Sequence, residues 1–75
     1  MTIKRPDYLV RMDKELEELQ EKIRKLEAFI YHDPEFKRLP PLDIAHLCMQ
    51  LGHMRGYAST LHARIVDKNI ELREE

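Results

Sequence analysis

The stretch that decides the fold is Asp7 to His32, DYLVRMDKELEELQEKIRKLEAFIYH. Its apolar residues Leu9, Met12, Leu16, Leu19, Ile23, Leu26 and Ile30 are separated by alternating steps of three and four. That is the spacing of a helix packing along one seam, and no alternation of period two competes with it. The intervening positions are charged, with Glu18 placed to meet Lys22 and Glu21 to meet Lys25 one turn on, which supports a solvated outer side.

Downstream, HDPEFKRLPP punctuates the chain. Asp33 before Pro34 is a good N-cap followed by a proline suited to a first turn, so one short helical turn is expected, with Phe36 and Leu39 turned inward. Pro40 and Pro41 then stop that turn and begin the next helix. From there Ile44, Leu47, Leu51, Met54, Ala58, Leu61 and Ile65 repeat the three and four spacing, and Leu72 continues it a heptad later. A connection this short makes the two helices antiparallel neighbours. The expected fold is all-α: a two-helix hairpin, with helices over about 7–32 and 41–72, a turn over about 34–39, and one domain over 1–75.

The second helix carries another pattern away from its seam. Ala45, Cys48, Gly52, Gly56, Ser59 and Ala63 form a stripe of small residues. Glycine inside a helix costs about 1 kcal/mol relative to alanine, so Gly52 and Gly56 one turn apart ask for a compensating close approach by another helix or a ligand. A lone hairpin leaves each helix half covered, whereas bundling hairpins covers both the seam and the stripe. Assembly into a homo-oligomeric helical bundle is therefore expected, with those six residues at the interface. At 75 residues the chain lies where one core is barely sufficient, and self-association is a common remedy.

Composition narrows the function. Thirteen Lys and Arg against fourteen Asp and Glu nearly cancel, which argues against duplex nucleic acid as the main partner. With one cysteine, Cys48, no intrachain disulfide forms, and a small buried side chain is the ordinary reading of it. No apolar run approaches the roughly 20 residues that cross a bilayer, and the start MTIKRPDY lacks the apolar core of a signal peptide. The expectation is a soluble, cytoplasmic protein without a membrane partner.

Chemistry-bearing constellations are sparse. His46 and His53 lie two turns apart, about 10.5 Å along the axis, too far for one zinc, so no metal site is expected. Neither a phosphate-binding glycine loop nor a buried carboxylate pair is evident, so no catalytic residue, no cofactor and no enzymatic activity are expected. What remains is a set of aromatic and cationic residues: Tyr8, Arg11, Lys22 and Lys25 on the first helix, and Tyr57, Thr60 and Arg64 on the second. Singly each reads as surface charge or packing; together they have the chemistry to stack a base and hold a phosphate.

The run YLVRMDKELEELQEKIRKLEAFI, then EFKRL, then QLGHMRGYASTLHARI resembles the small phage proteins of the anti-CBASS nucleotide-sponge family, over Tyr8 to Ile65. The most telling pieces are the opening Y-x-x-R, the run K-I-x-K-L-x-x-F-I and the ending M-x-x-Y-x-x-x-L-x-x-R-I. The resemblance implies a compact helical hexamer, in the cytoplasm of an infected bacterial host, that binds cyclic di- or trinucleotide messengers without cleaving them and so silences immune signalling. It implies that Tyr8 stacks on a base while Lys22 of a neighbouring subunit meets phosphate, with Lys25 the next candidate. A second kind of site, for cyclic trinucleotides, would use Arg64 with Thr60 one turn earlier. The competing reading is a small phage helical oligomerisation protein whose exposed face binds a host protein.

Overall fold

The structure is a computed structural model that describes residues 5–74, so Met1 to Lys4 and Glu75 lie outside the described residues. Helix α1 spans Asp7–His32, a short 3-10 helix spans Pro34–Arg38, and helix α2 spans Pro41–Glu74. The two long helices pack against each other and form a rod of 56 × 17 × 15 Å.

Local chemistry sets each boundary. Pro6 precedes α1, and its carbonyl accepts from the N–H groups of Leu9 and Val10 at 3.0 and 3.2 Å, which closes the first turn. Asp33 is extended and ends α1, its N–H donating to the Phe29 carbonyl at 3.2 Å. The same residue starts the next turn, its Oδ1 accepting from the Glu35 N–H at 2.9 Å, with Pro34 needing no partner for an N–H it lacks. Inside the turn, the Phe36 ring meets Phe29 edge to face, centroids 5.9 Å apart, which pins the connection to the end of α1. The Pro40 carbonyl then receives the Ile44 N–H at 3.1 Å, opening α2.

The seam is the one the spacing defines. Every apolar position of α1 from Leu9 to Ile30 in that series is buried or half-buried, and so is every one from Ile44 to Leu72 in α2. Among the described residues the buried apolar side chains are Leu9, Leu51, Leu61 and Ile65, so the core is a single thin layer. Toward the end of α2 the seam drifts: Asn69, not Lys68, is the half-buried residue between Ile65 and Leu72. A straight helix of 3.6 residues per turn rotates slowly against a repeat of 3.5, and the last heptad registers that drift.

Two expectations need correction. Cys48 is exposed, not buried: it stands beside the seam, one heptad before Arg55, at a flank position that α1 does not cover. Of the predicted helix pairs, Glu21 is taken instead by Arg24, whose longer planar side chain reaches it at i+3, and this pair with its hydrogen bond holds the Glu21 carboxyl below its ordinary range while Lys25 acts only through space. No bond between Glu18 and Lys22 is formed.

Candidate functional site

Seven-residue steps organise the sides of the hairpin as well as its seam. Along α1, Tyr8, Glu15, Lys22 and Phe29 share one flank of the seam; along α2, Gln50, Tyr57, Arg64 and Glu71 do. The structure joins these two rows: the Tyr57 hydroxyl donates to the Glu15 carboxylate across the helices. One heptad from that pair, in opposite directions along each helix, stand Tyr8 and Lys22 on α1 and Arg64 and Gln50 on α2. Arg64 is close enough to act electrostatically on Tyr57, whose phenol is pushed above its ordinary range first by the hydrogen bond to Glu15.

The opposite flank is tied differently. The Arg55 guanidinium donates to Glu27 and, at 3.3 Å, to the Tyr31 hydroxyl, so that a cation, a carboxylate and a phenol link the helices near the turn. The bond to Glu27, then that to Tyr31, holds Arg55 still more firmly protonated. Neither cross-helix link was named from the sequence. The signal was available, because Glu15 and Tyr57 stand at equivalent heptad positions, as do Glu27 and Arg55, but spacing within one helix does not say how far the two are slid past each other.

The candidate ligand residues divide accordingly. Tyr8, Lys22 and Arg64 lie on one flank, and all three are exposed, Tyr8 by 43%. Thr60, one turn before Arg64, is exposed beside that flank. Lys25, one turn beyond Lys22, lines with Ala28, Phe29, His32, Asp33 and Pro34 an open concavity of about 500 Å³ at the turn end. Tyr8 and Lys22 are fourteen residues apart on one straight helix, about 21 Å at 1.5 Å per residue, so one chain does not bring them together. Arg11, three residues from Tyr8, is the cation nearest to it in its own helix.

The expected interface residues Ala45, Cys48, Gly52, Gly56, Ser59 and Ala63 are all exposed on the hairpin. A Cβ added at Gly52 or Gly56 would meet nothing within 4 Å, so neither glycine is required by packing inside the chain. Among the described residues no three His, Cys, Asp or Glu side chains are grouped so as to hold a metal ion, and no helix is long and apolar enough to cross a membrane.

These features define a class: a small all-helical hairpin with a thin core, an aromatic and cationic flank, and an outer α2 face open to a partner. The family model of the Sequestin family matches residues 6–67, from the residue that opens α1 through most of α2. The chain belongs to the Sequestin family, whose name denotes sequestration of a partner. No curated protein and no solved structure matches it.

Proposed function

We propose that this protein is a non-enzymatic sponge for cyclic di- or trinucleotide second messengers, and that it works as a homo-oligomer, with six subunits as the family resemblance implies. The observation that carries the reading is the flank bearing Tyr8, Lys22 and Arg64, in a chain whose family is named for sequestration. A cyclic dinucleotide presents two bases and two phosphates. Tyr8 supplies an aromatic face for a base, and Lys22 a compact cation for a phosphate. Because about 21 Å separates these two along α1, the tyrosine and the lysine that meet one ligand come from different subunits. Two copies related by a two-fold axis would then offer the same pair to each half of a symmetric ligand. Arg64, on the same flank as Tyr8 and with Thr60 one turn earlier, fits a second phosphate contact for cyclic trinucleotides.

Sequestration needs no bond broken, only that bound messenger is withheld from its effector. Capture of the messenger in the cytoplasm of an infected bacterium would blunt an immune response that it triggers. Calorimetry with a panel of cyclic di- and trinucleotides tests the reading: saturable heat with at least one, and recovery of that nucleotide intact by mass spectrometry, is the expected result. Absence of heat and of thermal shift with every member would overturn it, and a linear product would replace the sponge with an enzyme.

One observation favours a second reading. The outer face of α2 is uncharged over many turns, as a protein-binding surface would be, so a host protein is the competing partner. In that case Tyr8→Ala and Lys22→Ala leave function intact, whereas a bulky side chain at Gly56 abolishes it.

A further inference from the structure

The outer faces of the two helices are chemically unlike. At the positions of α1 directed most squarely away from the seam, the central four are the charged Lys14, Glu17, Glu21 and Arg24, with Val10, Ala28 and Tyr31 toward the ends. At the equivalent positions of α2, from Leu42 to Ile70, there is no charged residue at all, and the large apolar side chains Leu42 and Met49 are 66% and 58% exposed. Gly52 and Gly56 sit in the middle of this face although nothing within the chain approaches them.

The face also reads nearly the same in both directions about the level of Met54. Gly52 and Gly56 are equidistant from that level, as are Met49 and Ser59, then Ala45 and Ala63, then Leu42 and Val66. Small residues thus mirror small ones at the centre and apolar residues mirror apolar ones at the ends, while the large Met49 mirrors the small Ser59. A two-fold interface uses the same patch on both subunits, so the patch must complement its own reversed copy. A partner of unrelated sequence places no such demand on it.

We infer that α2 pairs antiparallel with α2 of a second copy, about a two-fold axis level with Met54, Gly52 of each chain facing Gly56 of the other and Met49 inserting beside Ser59. The inference rests on the self-association proposed above and gives it a geometry. Glycines at the crossing let the backbones approach closely, which is the return for their poor helix propensity. The flank holding Tyr8, Lys22 and Arg64 lies round the helices from this face, so the pairing leaves it open for ligand and for further subunits.

Disulfide trapping tests the register. In a Cys48→Ala background, the double variant Met49→Cys with Ser59→Cys is oxidised and examined by denaturing electrophoresis and native mass spectrometry, beside each single variant. Residues 49 and 59 of one chain are about 15 Å apart along the helix, beyond the roughly 4.4–6.8 Å between Cα atoms that a disulfide spans. The double variant therefore forms a covalent dimer, and neither single variant does. A covalent dimer from Met49→Cys alone would mean parallel pairing and overturn the inference. No covalent dimer from the double variant, with an oligomeric native mass, would overturn the pairing and leave self-association standing; a single-chain native mass would overturn both. A second measurement does not depend on engineered cysteines: Gly52→Ala with Gly56→Ala raises the helicity of the dilute single chain while weakening association by about tenfold or more. Unchanged association in that variant would contradict the close crossing.

Discussion

Tyr57 is the residue at which the two helices are most directly read against each other. Its hydroxyl donates to Glu15, and the hydrogen bond, then burial and the carboxylate charge, raise the phenol above its ordinary range. A raised folded-state value means the contribution to stability is complete below the unfolded value of about 10 and is lost as pH climbs through the folded one. Ultraviolet titration should accordingly show a phase later than that of a free tyrosine, and Tyr57→Phe should remove it without unfolding the protein at neutral pH. Arg55 makes the corresponding link on the other flank, but exposed ion pairs contribute little. Arg55→Ala should lower the melting midpoint by no more than a few degrees, and salt should narrow the difference.

Among the elements, the connection and α2 carry opposite lessons. Asp33 both follows α1 and caps the 3-10 turn through its Oδ1, so Asp33→Ala should cost about 1 kcal/mol of stability, read from denaturant unfolding. Gly52→Ala should do the reverse to the isolated hairpin, raising helix stability by about 1 kcal/mol because the added methyl meets no neighbour there. Circular dichroism at concentrations where the chain is monomeric separates that gain from any loss of association. Helix α1 and the seam of α2 were legible in the sequence because each apolar position repeats with one period and the prolines fall between them. Cys48 was not, since its smallness and apolarity suit a core, while only the hairpin shows it exposed beside the seam.

At the scale of the molecule, a core with four buried side chains among the described residues is thin, and oligomerisation offers what a single hairpin lacks. The proposed ligand site has the same dependence, since Tyr8 and Lys22 of one chain are too far apart to share a nucleotide. Tyr8→Ala and Lys22→Ala should each abolish binding of a cyclic dinucleotide, measured by calorimetry. Refolding the two variants together should restore part of it, because a mixed interface joins the intact lysine of one to the intact tyrosine of the other. Failure of the mixture to bind, while wild-type chains refolded in the same way do bind, would overturn a site shared between Tyr8 of one subunit and Lys22 of another.

The sequence by itself determined the two helices, the side each turns inward, the turn that Asp33 and the prolines punctuate, and the stripe of small residues on α2. These are local properties, fixed by what recurs every three or four residues in one helix. The tertiary structure decided how the helices are slid past each other, and that is a matter of contacts between residues far apart in sequence. The cross-helix bonds of Glu15 with Tyr57 and of Glu27 with Arg55 are the exposed markers of that alignment. It leaves Cys48 exposed and shows that nothing within the chain covers Gly52 or Gly56.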